Sequence, residues 1–198
     1  MMPAGKNAEW VMRARMLLVA LVAWTGTAAG ASDELDLGLN GDALRAGYAH
    51  TFDNPGLRFD AGWLYHQDVG DVIHAGLLVV GEAGSKGVGL DAGIGARIVF
   101  IDGEGGSREG YGLAPGFQLT WNLPRLNRVS ITGEAYYAPD ILVGGDAEEY
   151  IDLMARAAYA VTRQARVYLG VRYVGTDYGS GDEPLFDTGM HAGLNVSF

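Results

Sequence analysis

No cysteine occurs in the 198 residues, so the chain has neither a disulfide framework nor a thiolate metal site. Bases are scarce beside acids, 14 against 24, and the net charge of −10 argues against binding nucleic acid. Long apolar runs are also missing. Beyond residue 31 no stretch reaches the roughly 18 consecutive apolar residues expected of a membrane helix, so a membrane role requires a barrel of strands. Glycine, by contrast, is plentiful at 31 residues. That is too many for helices and suits tight turns and small interior positions.

Residues 1–31 read as a cleaved secretory signal. Lys6, Arg13 and Arg15 form a basic start, Met16 to Trp24 is an apolar run of nine residues, and Ala29-Gly30-Ala31 is a small-residue cleavage site. Translation from Met12 gives an equally complete signal, and the choice of start stays open. Without this segment the chain, 32–198, keeps 11 bases and 23 acids, a net charge of −12.

Past the signal the chain alternates. Leu90, Ala92, Ile94, Ala96, Ile98 and Phe100 oppose Asp91, Gly93, Gly95, Arg97 and Val99. Successive strand residues point to opposite faces, so one face is apolar and the other polar. The same reading holds for Leu44–Phe52, Leu57–His66, Tyr111–Trp121, Val129–Ala138, Tyr150–Val161, Ala165–Gly175 and Leu185–Phe198, while Val72–Glu82 is apolar on both faces. These make nine strands. An even number is expected of a bacterial barrel, and Leu35, Leu37 and Leu39 before the Asn40-Gly41 hairpin signal supply a short tenth. The fold class is therefore all-β, a transmembrane antiparallel up-and-down barrel of ten strands, with eight as the alternative. Pro115 cannot donate to a ladder and should mark a bulge or local break.

Counting back from Phe198 puts the longer connectors, 175–184, 138–149, 102–110 and 67–71, at the outer side. They hold 12 acids against one base, Arg108. Acids such as Asp146, Glu148 and Glu149 suit hard cations, but no ligand spacing supports a metal site and none is assigned. The count also yields two aromatic girdles. Trp63, Tyr65, Phe100, Tyr111, Tyr137, Tyr173 and Phe186 fall near the outer rim, and Phe52, Phe59, Trp121 and Phe198 near the periplasmic rim.

The inward set holds Arg45, Arg58, Arg97, Arg156, Arg166 and Arg172 with Asp60, Asp91, Glu134, Asp152 and Asp187. Paired charges bracing a narrow lumen are one reading, because unpaired buried charges are costly. A selective pore lined by the same residues, with lumen glycines leaving a small aqueous path, is the other. A catalytic constellation is not evident: Ser130 and Ser197 lie at the periplasmic rim, away from His191 and His66, and His74 and His191 read as hydrogen-bonded lumen residues. No cofactor is expected, and the chain is not expected to be an enzyme.

Several stretches resemble the YfaZ family of small Gram-negative outer-membrane proteins: Leu44-Arg45-Ala46-Gly47-Tyr48, Trp63 followed by Gly70-Asp71-Val72, Glu134-Ala135-Tyr136-Tyr137-Ala138-Pro139-Asp140, and Ala192-Gly193-Leu194-Asn195-Val196-Ser197-Phe198. The resemblance implies an outer-membrane location and a barrel, without an activity or catalytic residues. In such proteins the ending resembles the signal read by the barrel assembly machinery, which implies Met190, Leu194, Val196 and Phe198 as its carriers. The expected function is a structural or interaction barrel or a narrow porin-like conduit, in contact with outer-membrane lipid and lipopolysaccharide. An outer-membrane barrel enzyme acting on lipid or peptide and a soluble lipocalin-like periplasmic binder are the alternatives. The oligomeric state is left open.

Overall fold

The computed structural model describes residues 32–52, 56–85, 87–103, 108–179 and 185–198. The signal segment 1–31, with the domain division placed there, and the loop acids Glu104, Asp182 and Glu183 lie outside the described residues.

Alternation becomes a closed wall. The strands are β1 (Ser32–Leu39), β2 (Ala43–Thr51), β3 (Leu57–His66), β4 (Gly70–Glu82), β5 (Leu90–Gly103), β6 (Glu109–Asn122), β7 (Val129–Ala138), the short β8 (Val143–Gly145), β9 (Glu149–Ala160), β10 (Ala165–Asp177) and β11 (Leu185–Ser197). Ten long strands pair antiparallel around a ring, β1 to β7 and then β9, β10 and β11, while β8 attaches to β6. The ring closes where β1 meets β11, from Glu34 opposite Ser197 to Leu39 opposite Ala192. Closure gives each of the ten long strands a neighbour on both sides, as a wall standing in hydrocarbon requires. The tenth strand is β1, and Asn40 turns it, its side-chain oxygen accepting the N–H groups of Asp42 and Ala43.

The faces divide as the alternation requires. On β5, Ile94 is 71% exposed and Ile98 52% exposed, while Arg97 between them is 5% exposed. Leu77, Val79, Leu113, Phe117, Leu169 and Val171 are also exposed. A lipocalin-like inversion needs these side chains inside, and the chain does not adopt it. The barrel has a terminal end, which carries Ser32 and Phe198, and an opposite loop end.

Pro115 marks a break, as its missing N–H requires. Its ladder with β5 runs through without a shift, Pro115 opposite Ala96. On the other side the β6–β7 ladder stops at Gly116 opposite Tyr136. Beyond that point the two strands part, and the connection after β7 folds back through a 3-10 turn (Asp140–Leu142) so that β8 pairs with Gly110–Gly112 of β6.

Two expectations are corrected. Phe186 does not stand in the outer girdle: it is 0% exposed and lies inside. The β10–β11 register passes from Val174 opposite Asp187 to Gly175 opposite Leu185, so Phe186 is the extra residue of a bulge and its side is switched. The difference in connector length between the two ends also shrinks, because strands run past the apolar band. Asp71, Asp102, Glu109, Glu149 and Asp177, read as loop acids, belong to strand ends.

Candidate functional site: the barrel interior

The interior is built in three tiers from inward positions of the ten strands. At the loop end lies an apolar tier in which Leu64, Val72, Val99, Ile101, Ala114, Ala138, Tyr150, Val174 and Phe186 are all buried in one cluster. Each comes from the loop-end half of its strand, where the charged inward residues have given way to apolar ones.

Beneath this tier is an ion tier centred on Arg97. Its Nε donates to Asp60 at 2.7 Å, Nη2 to Glu134 at 3.1 Å and Nη1 to Asp152 at 3.5 Å. Its guanidinium also stacks 3.7 Å from the centroid of the Tyr136 ring. Three acids from β3, β7 and β9 thus share one cation from β5, bracing the barrel across its width. His74 Nε2 approaches Asp60 at 3.4 Å. Two further pairs flank this centre. Arg172 Nη1 donates to Asp187 at 3.2 Å, and Arg156 Nη1 donates to Asp36, with its guanidinium 4.8 Å from the Tyr168 ring. Arg45 makes no ion pair within 4.0 Å among the described residues and lines a chamber of about 40 Å³ with Asp36, Asp60 and Glu134.

At the terminal end the interior opens into a polar cup of about 280 Å³, lined from all ten long strands. Arg58 is paired there with Glu34 at 2.8 Å. Asp91 and Arg166, expected in the charge network, instead stand in this cup without an ionic partner among the described residues, and Asp91 accepts one hydrogen bond from Asn122 Nδ2 at 3.0 Å.

The structure therefore brings together Arg45, Asp60, Arg97, Glu134, Asp152, Arg156, Arg172 and Asp187 at mid-barrel, and separates Arg58, Asp91 and Arg166 into the cup. Sequence reasoning missed Asp36, Glu34, Tyr136 and Tyr168 as partners. Asp36 carried a signal, since it alternates with Leu35 and Leu37 in β1. Alternation set Tyr136 and Tyr168 inward as well, but not which arginine each would stack on. His191 is buried edge-on to the Tyr168 ring, with centroids 5.7 Å apart. Against expectation, neither of its ring nitrogens has a hydrogen-bond partner among the described residues. The same is true of Arg172 Nε and Nη2.

Three interior glycines make room for tyrosines: a Cβ at Gly193 collides with the Tyr168 ring, one at Gly38 with its hydroxyl, and one at Gly116 with the Tyr136 ring. They give way to large side chains leaning across from neighbouring strands.

On the outer surface, Trp63, Tyr65, Phe100, Tyr111, Tyr137 and Tyr173 belong to the loop-end halves of their strands, and Trp121 and Phe198 to the terminal end. Trp63 Nε1 donates to Asp71 at 2.6 Å. In β11, Met190 and Leu194 are exposed and Val196 is half-buried, while His191 and Asn195 are buried, and Phe198 just after the strand is exposed.

A family model described as YfaZ precursor matches residues 11–198. The chain belongs to the YfaZ family. A precursor implies an export signal ahead of the barrel. No curated protein matches this YfaZ chain significantly. Among solved structures, one from work on the mechanism of in-meso crystallization of membrane proteins is 10% identical with a TM-score of 0.40, covering 85% of this chain and 83% of that one. The translocator domain of autotransporter NalP from Neisseria meningitidis is 14% identical with a TM-score of 0.31, covering 96% of each chain. Neither likeness is close enough to carry an argument. The ten-strand YfaZ barrel rests on its own ladders.

Proposed function

We propose that this chain is a small integral barrel of the Gram-negative outer membrane, with a structural or interaction role and no open conduit. The observation that carries this is the loop-end tier, where Leu64, Val99, Ile101, Tyr150 and Phe186 pack together across the lumen. An ion passing that tier exchanges hydration for mainly apolar side chains, which costs free energy. The ion tier beneath narrows the lumen further, with Arg97 held by Asp60, Glu134 and Asp152.

In this reading the terminal end faces the periplasm and the apolar outer face meets lipid and lipopolysaccharide. Met190, Leu194, Val196 and Phe198 present the final strand to the barrel assembly machinery during insertion. The role is non-enzymatic. Ser130 and Ser197 belong to the terminal-end halves of their strands, and His191 meets neither.

The test is conductance. Purified full-length protein in planar bilayers is expected to show no unitary current, whereas Phe186→Ala combined with Tyr150→Ala should admit ions. Steady unitary currents from the unaltered chain defeat the proposal.

A further inference from the structure

A sealed barrel has no need of a pocket, yet the terminal-end cup is a built one. Its Arg58 is neutralised by Glu34 and its Arg156 by Asp36. Two opposite charges remain, Arg166 on β10 and Asp91 on β5, and neither has an ionic partner among the described residues. Around the ring they are separated by β6, β7 and β9, close to diametrically opposed. They have not collapsed onto each other because the wall holds them apart.

The distance can be bounded. With strands about 4.8 Å apart and tilted about 40°, a ten-strand wall is roughly 20 Å across. Side chains reaching in from opposite walls leave roughly 8–10 Å between a guanidinium and a carboxylate, which extended chain covers in two or three residues at about 3.4 Å each. Between the two charges the cup offers Gln118 and Asn195, whose amides have no hydrogen-bond partner among the described residues, and the hydroxyl of Ser130. Asn195 sits directly opposite Arg166 in the β10–β11 register. Amides and hydroxyls with spare donors and acceptors suit peptide N–H and C=O groups.

We propose that the cup binds a short zwitterionic peptide of two or three residues, its carboxylate on the Arg166 guanidinium and its ammonium on the Asp91 carboxylate. The paired charges around it contribute no preference of sign. A ligand carrying only one charge leaves the opposite protein group unanswered, so selectivity lies in having both ends free. The volume of about 280 Å³ limits the ligand to a small one.

The test is calorimetry on the full chain in detergent micelles, with Ala-Ala-Ala as the probe. Saturable binding at millimolar peptide is expected, weakened about tenfold when the probe is N-acetylated and about tenfold when it is C-amidated. Arg166→Gln should lower affinity for the free peptide and abolish the penalty for C-amidation while keeping that for N-acetylation. Asp91→Asn should do the reverse. If blocked and free peptides bind alike, if each variant keeps both penalties, or if no saturable heat is seen, the proposal fails. Should a variant lose its strand signal by circular dichroism, the blocked-peptide arms on the unaltered chain still decide. A conductance result bears on the sealed-barrel reading alone, so the two can fail separately.

Discussion

At the loop end the lumen is apolar and packed with Val99, Ile101 and Phe186, whereas at the terminal end it is an open cup holding Asp91 and Arg166. Both halves come from the same ten strands with the same alternation. β5 shows the gradient within one element: its inward positions run Asp91, Gly93, Gly95, Arg97, Val99 and then Ile101. Alternation decides which residues point inward, while their chemistry along the strand decides whether that level is a seal, a brace or a receptacle. The same side chain type therefore means different things at different depths. Arg97 is 5% exposed and answers three acids. Arg166 answers none.

That contrast can be broken from its most costly side. Arg97→Met takes from Asp60, Glu134 and Asp152 the one cation bonded to all three, and a loss of about 3–5 kcal/mol is expected in reversible urea unfolding. A loss below about 1 kcal/mol makes the ion tier ornamental. In the apolar half, Phe186→Ala removes a fully buried ring and should cost about 3 kcal/mol, read as a lowered midpoint in the same experiment. The surface offers a middle case. Asp71→Ala takes away the acceptor of Trp63 Nε1 and should cost about 1 kcal/mol, with a shift in tryptophan emission. Arg166→Gln sharpens the comparison at its small end: with no partner to abandon, stability should change by no more than about 0.5 kcal/mol. A large loss there means that Arg166 is braced like Arg97 after all.

Most of the wall was legible in the chain because lipid imposes a one-sided rule. Leu90 to Phe100 keeps one face free of charge, most of the other strands show the same pattern, and β1 is placed by Asn40-Gly41 behind three alternating leucines. Phe186 was misplaced for the reason that makes alternation useful, since a single bulged residue reverses every assignment beyond it and a bulge has no period. The inward charges could be recognised as a set but not sorted. Whether Arg156 finds Asp36 or Arg166 finds nothing depends on strands distant in sequence and on how far each side chain reaches. Glycine neighbours were equally illegible. Gly193 looks like empty space until the Tyr168 ring is seen leaning over it.

The seam between β1 and β11 joins the first described residues to the last, with Asp33 N–H donating to the Phe198 carbonyl and Phe198 N–H returning to Asp33. Closing the ring thus requires the two most widely separated parts of the chain to meet. Until they do, the protein is a curled ribbon with two bare edges, each a template for a stranger's strand. Ring formation is thus a timing problem as well as a geometric one, and a chain arrested before its final strand remains a hazard to its neighbours for as long as the gap stands open.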